Sequence, residues 1–113
     1  MDLVQGDLTE PSLFPDANFV GLVCVGTLTP HHIVQGPVLR HWLQWLQPRG
    51  WAVLSLRTDF WEGQKGDLHG VRVACDALEQ EKAWQLVDET PPQPYTPGVD
   101  PSITFTVRSY RLL

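Results

Sequence analysis

The chain has 113 residues, which is enough for one small domain and too few for two. Its net charge of −5 argues against the clustered Lys and Arg that bind a phosphate backbone, so no nucleic-acid partner is predicted. No apolar run approaches the roughly 20 residues that cross a bilayer, and no signal peptide is indicated. Cys24 and Cys75 lack metal-site spacing, so they are predicted to be reduced, buried thiols of a cytoplasmic protein.

The first elements predict a βαβ unit. Residues 18–28, NFVGLVCVGTL, are almost continuously apolar, which is typical of a strand buried on both faces of a parallel sheet. A helix is predicted from Pro37, because proline suits the first helical position. Its apolar stripe is formed by Val38, Leu39, Trp42, Leu43 and Leu46. Pro48 and Gly50 are expected to end the helix, and residues 51–58, WAVLSLRT, form the second strand.

The second half of the chain predicts one more helix and two strands. FWEGQKG is a loop, and a helix runs from Asp67, the expected N-cap, to about Lys82. Residues 84–90 form a short strand, followed by a proline-rich loop. SITFTVRSYRLL alternates apolar and polar residues, so it is predicted to be a strand antiparallel to its neighbour.

Four motifs in this order resemble those of class I S-adenosylmethionine-dependent methyltransferases. VQGDLTEPSLFPD resembles the stretch after the third strand, and NFVGLVCVGTLT resembles the fourth strand. WLQWLQPRGWAVLSL resembles the turn into the fifth strand. CDALEQEKAWQLVDET followed by TFTVRSYRLL resembles the last helix and the closing β-hairpin. Within the superfamily, the methyltransferase-like proteins of the Williams–Beuren region type are most similar, and the resemblance covers about residues 3–113.

The resemblance implies an α/β fold, namely the C-terminal part of a Rossmann-like methyltransferase fold. In the parent sheet the strand order is 3-2-1-4-5-7-6, with the seventh strand antiparallel. The remaining order is expected to be 4-5-7-6, closed by an antiparallel β-hairpin, and residues 1–113 are expected to form a single domain. The sequence departs from the family because it contains no G-x-G-x-G loop, and because Arg49 replaces the first glycine of P-G-G.

The resemblance also implies site residues. Positions that would bind S-adenosylmethionine are Asp7, at the adenine amino group, with Leu8, Val25, Gly26 and Thr27. Positions that would line the substrate pocket are Leu28, Trp61 and Tyr95.

His31 and His32 follow the fourth strand, where an imidazole could act as general base, although adjacent histidines in a loop are more often simply solvated. No metal site is predicted, since two further ligands at workable spacing are not visible.

Two functions remain open at this point. One is methyl transfer to an unknown, small-molecule acceptor, expected to be crippled in this truncated chain because the sequence has no glycine-rich cofactor loop. The other is a non-catalytic, truncated scaffold or interaction module. In either case the strand at residues 20–25 would have an exposed apolar edge, so low stability and self-association are expected.

Overall fold

Helices and strands of the computed structural model form one mixed sheet with helices packed against it. The structure describes residues 14–17, 19–25, 28, 36–62, 69–94 and 102–113. The strands are β1 (Phe19–Cys24), β2 (Leu46–Arg57), β3 (Trp84–Glu89), β4 (Gln93–Pro94) and β5 (Thr104–Leu112). The helices are α1 (Pro37–Gln44), α2 (Thr58–Trp61) and α3 (His69–Gln80). None of the described helices is long and apolar enough to cross a membrane.

The strands lie in the order β1-β2-β5-β3, with the two-residue β4 also paired to β5. β1 and β2 are parallel, whereas β5 is antiparallel to both β2 and β3. β2 and β3 therefore run in the same direction, and the last strand of the chain lies between them. The predicted α/β class is confirmed by this mixed sheet.

The apolar core lies between one face of the sheet and the helices α1 and α3. From the sheet come Leu54, Leu56, Trp84 and Tyr110, all at most 1% exposed. From the helices come Val38, Leu39, Trp42, Val71, Cys75 and Leu78, at most 3% exposed. The helical residues recur at three- and four-residue spacing, so each helix turns one stripe toward the sheet.

The first strand is not buried on both faces, as its apolar sequence predicts. Val20, Val23 and Val25 are 66%, 71% and 73% exposed, whereas Cys24 is buried. Among the described elements, α1 and α3 pack on the same side of the sheet as Cys24. The opposite face of β1 has no described helix against it, and this explains the exposure of Val23 and Val25, whereas Val20 lies at the start of the strand on the same face as Cys24.

The start of β2 also differs from the prediction. α1 ends at Gln44, and Leu46 already belongs to the strand, so Pro48 and Gly50 lie inside β2. The pairing with β1 shifts register between Phe19 and Gly21, which leaves residues 47–50 as an irregular stretch. A Cβ on Gly50 would lie 2.7 Å from the carbonyl oxygen of Val20, so this close approach of β1 and β2 requires glycine.

Three smaller differences concern element ends. The start of the predicted loop FWEGQKG forms the last half of α2. α3 ends at Gln80, and Lys82 lies beyond it with a φ of 61°. The proline-rich loop contains β4, which the sequence does not indicate.

Candidate functional site

A cavity opens at the edge of the sheet where β2 and β3 end. Its volume is about 400 Å³, and its walls include Trp61 of α2, Arg72 of α3 and Arg108 of β5. Glu89 and the segment from Thr90 to Pro92 line it next to β3, and a second carboxylate, Glu62, lines it at the end of α2. Ligands of open α/β sheets bind outside the carboxyl ends of the strands, which is where this cavity lies.

The short helix α2 places Trp61 in the cavity wall. Arg57 makes a bidentate ion pair with Asp59, with Nε–Oδ1 and Nη2–Oδ2 distances of 2.8 and 2.9 Å. Asp59 Oδ1 also accepts a 2.9 Å hydrogen bond from the backbone N–H of Phe60. The Arg57 guanidinium lies 4.2 Å from the centroid of the Phe60 ring. These contacts fix the single turn of α2 at the end of β2, and with it the position of Trp61.

Two guanidinium groups approach the Trp61 indole. The Cζ atoms of Arg108 and Arg72 lie 4.9 and 5.6 Å from the ring centroid, within cation–π range. Arg72 is exposed, and its Nη1 also donates a long 3.4 Å hydrogen bond to the Trp61 carbonyl oxygen. None of the ion pairs among the described residues includes Arg72.

Arg108 is held much more firmly than Arg72. Its side chain is 13% exposed, its Nε donates a 2.7 Å hydrogen bond to the Tyr110 hydroxyl, and its Nη1 pairs with Glu89. Burial acts to lower the pKa of Arg108, but Tyr110 and Glu89 outweigh it, so the net pKa is raised. The guanidinium therefore stays protonated at a fixed position in the cavity wall, where Glu89 balances its charge.

Two buried ionisable groups, the Cys75 thiol and the Tyr110 phenol, lie next to Arg108. Burial raises the pKa of the Cys75 thiol to about 12, although a hydrogen bond with Tyr110 acts in the opposite direction. Burial and the neighbouring Cys75 also raise the pKa of the Tyr110 phenol. Tyr110 stacks on Trp84 at a centroid distance of 3.9 Å, and the Trp84 indole N–H donates to the Cys75 carbonyl oxygen. At neutral pH both acids are protonated, so they position Arg108 without adding charge.

Few of the site residues predicted from sequence fall within the described part of the chain. Trp61 lines the cavity, Val25 is exposed directly after β1, and Leu28 is 1% exposed in the apolar core. A place for Leu28 in a substrate pocket stays a prediction. The other predicted residues lie outside the described ranges, namely Asp7, Leu8, Gly26, Thr27, His31, His32 and Tyr95. No cluster of three potential metal-ligating side chains occurs among the residues described.

Sequence reasoning missed Arg72, Arg108 and Glu89. The alternation of β5 assigns Arg108 to a polar, solvent-facing side, but Tyr110 on that same side is fully buried. The signal in the sequence is the aromatic Tyr110 two residues after Arg108 on the same strand face, which indicates that this face packs against the core. Arg72 and Glu89 carry no comparable signal, because each occupies an ordinary exposed position in its element.

Comparisons with known proteins identify the fold. No family model and no curated protein matches the sequence. Solved structures of a Thermus thermophilus protein, described as a candidate DNA modification methylase, do match in three dimensions. Its selenomethionine derivative matches with a TM-score of 0.57 at 18% identity, over 95% of this chain and 52% of that one. Its complex with S-adenosylmethionine matches with a TM-score of 0.56 at 19% identity, over 95% and 51%.

The chain has a class I methyltransferase fold. It spans about half the length of these structural neighbours. At such low identity the likeness extends to the fold and not to a subgroup, so the narrower resemblance to the Williams–Beuren group is not supported by it.

The predicted absence of a nucleic-acid partner is corrected by the same comparison. The neighbours with this fold are described as DNA modification methylases. The prediction rested on the net charge of −5. A net charge sums the whole chain, whereas binding depends on how charge is distributed locally. An acidic composition therefore does not exclude nucleic acid for a chain of this methyltransferase fold.

Proposed function

We propose that this chain forms the acceptor-side part of an S-adenosylmethionine-dependent methyltransferase. The observation that carries the proposal is the position of β5, which is antiparallel and lies between β2 and β3. The strands β1, β2, β5 and β3 would then correspond to strands 4, 5, 7 and 6 of the parent sheet, and residues 1–113 to one part of its domain. The motifs that resemble the Williams–Beuren group are compatible with this correspondence.

The cofactor would lie at the carboxyl end of β1, beside Asp7, Leu8, Val25, Gly26 and Thr27. Of these, Val25 is the one within the described residues, and its side chain is apolar and 73% exposed. A single exposed valine does not hold S-adenosylmethionine. The described residues thus do not form a cofactor site by themselves.

The acceptor would bind in the cavity beside Trp61. Methyl transfer is a displacement that depends on alignment and exclusion of water more than on a strong acid or base. The cavity supplies a rigid wall for alignment, because α2 is fixed by the Arg57–Asp59 pair and Arg108 by Tyr110. His31 or His32 would serve as base if the acceptor must lose a proton, and Tyr95 would extend the cavity wall.

A second function is favoured by the sequence itself. The chain contains no G-x-G-x-G loop, and its P-G-G turn is reduced to Pro48, Arg49 and Gly50. A chain that keeps the acceptor side but does not bind the cofactor would act as a non-catalytic scaffold or interaction module.

Calorimetric titration with S-adenosylhomocysteine separates the two functions. Micromolar binding by the 113-residue chain, abolished in Asp7→Asn and retained in the matched variant Asp16→Asn, supports the methyltransferase. Asp16 is a suitable control because it is an exposed turn residue. Absence of binding by a folded chain, verified by circular dichroism, favours the scaffold.

A further inference from the structure

We propose that the cavity beside Trp61 is a subsite for a nucleotide, with the base against the indole and the phosphate at Arg72 and Arg108. This subsite deepens the proposed function, since it gives the acceptor a chemical class. Nucleotide binding to this subsite is measured without the cofactor, so a failure to bind nucleotide can be told apart from a failure to bind the cofactor.

The ring half of the subsite rests on Trp61 and on two prolines that line the same cavity. Trp61 is half-buried in the cavity wall, and the exposed Pro91 and Pro92 line the same cavity. An indole face and two rigid pyrrolidine rings give flat, apolar surfaces. Stacking on such a side chain contributes about 1–3 kcal/mol per base and tolerates any base.

The anion half rests on two guanidinium groups of different character. Arg108 is 13% exposed and fixed by the Tyr110 hydroxyl, so it is preorganised to receive an oxyanion. Arg72 is exposed and has no carboxylate partner among the described residues, so it can move onto a phosphate that reaches the cavity. Arginine suits this role because its planar fork matches phosphate geometry.

Glu89 occupies the place that we assign to the phosphate. Its carboxylate pairs with Nη1 of Arg108, while its side chain is 44% exposed against 13% for Arg108. The carboxylate can therefore swing into solvent, whereas the arginine cannot. In the structure Glu89 neutralises Arg108, and a phosphate would displace the carboxylate.

The test is an NMR titration of the 113-residue chain with adenosine 5′-monophosphate. The indole N–H resonance of Trp61 is assigned with Trp61→Phe, since the chain has five tryptophans. We expect a saturable shift of the Trp61 resonance and none for the buried Trp42 and Trp84. Inorganic phosphate and adenosine, titrated separately, should each bind at least about 10-fold more weakly, because each keeps one half of the contacts.

Variants at the two charges sharpen the test. Arg72→Gln should weaken binding about 10-fold, while Arg40→Gln should leave it unchanged. Arg40 is a matched control, because it is an exposed arginine on α1 that pairs with Glu81 away from the cavity. Glu89→Gln should strengthen binding about 2- to 5-fold, because it removes the competing carboxylate.

Three outcomes would overturn the proposal. They are no Trp61 shift at millimolar nucleotide, equal affinities for phosphate and the nucleotide, and weaker binding in a folded Glu89→Gln variant.

A short single-stranded oligonucleotide distinguishes the source of the ligand. Affinity at least about 10-fold above that of the mononucleotide assigns the subsite to nucleic acid, and equal affinity assigns it to a free nucleotide.

Discussion

Arg49 and Lys82 adopt a backbone conformation that favours glycine, with φ values of 63° and 61°. At Arg49 the methyltransferase motif usually has glycine, and the left-handed conformation gives the physical reason for that preference. This conformation could be anticipated from the motif, whereas that of Lys82 follows from the geometry of a helix end.

Lys82 terminates α3 in a Schellman motif. Its N–H bonds to the Glu79 carbonyl oxygen at 3.0 Å, and the Ala83 N–H bonds to that of Leu78 at 2.9 Å. We expect Lys82→Gly to raise the free energy of unfolding by about 0.5–1 kcal/mol, because glycine adopts this conformation without a Cβ penalty. Urea denaturation measures the change. Gln80→Gly, still inside the helix, should lower stability by a similar amount, and a loss in both variants would contradict the argument.

The buried thiol of Cys75 should make the free energy of unfolding depend on pH in the alkaline range. Its pKa is raised from 9.0 to about 12 in the folded chain, so between these values the unfolded chain binds fewer protons. The free energy of unfolding should then fall as pH rises above about 9, by about 1 kcal/mol per pH unit. Denaturant midpoints at about pH 8, 9 and 10, which bracket the start of this window, test the effect. The slope should be shallower in Cys75→Ala, and an unchanged slope would show that another group causes it.

At the scale of elements, periodicity predicts the two longer helices, α1 and α3, well and the start of β2 poorly. The stripe of Val38, Leu39 and Trp42 is buried as expected, because tertiary burial and helical spacing agree there. The sequence assigns Pro48 and Gly50 to a helix stop, but Leu46 and Trp51, on either side of this stretch, pair with β1, and this includes the stretch in β2. The start of such a strand depends on pairing partners that are distant in sequence, and local sequence signals do not identify those partners.

The crossing of α1 and α3 depends on glycine at Gly36. A Cβ there would clash with the Gly70 carbonyl, which is backbone and cannot rotate away. We expect Gly36→Ala to lower the free energy of unfolding by about 1–3 kcal/mol through overpacking. Gly21→Ala is the control, because its Cβ would meet the Trp51 carbonyl oxygen at 3.7 Å, an ordinary contact. Thermal denaturation of both variants is the measurement, and equal Tm values would refute the close crossing.

At the scale of the whole molecule, the two described edges of the sheet differ. On β3 the register shifts between Leu86 and Asp88, and the strand ends in Asp88 and Glu89. A bulge and two carboxylates discourage pairing with another chain. β1 reads FVGLVC and has no charge. The site was less predictable than the fold, because Arg72, Glu89 and Arg108 belong to three different elements, α3, β3 and β5, and only the folded sheet brings them to one cavity.

The β1 edge is where we expect two copies of the chain to associate. Val20 and Val23 are 66% and 71% exposed, and a charge on β1 is a common protection against edge pairing. Val23→Lys should therefore shift the chain toward monomer in sedimentation velocity experiments at concentrations where the unmodified chain associates. Val73→Lys provides the control, because Val73 is 50% exposed on α3, away from any strand edge. Equal association of both variants would place the contact elsewhere, whereas monomer formation in Val23→Lys alone assigns it to the unprotected strand.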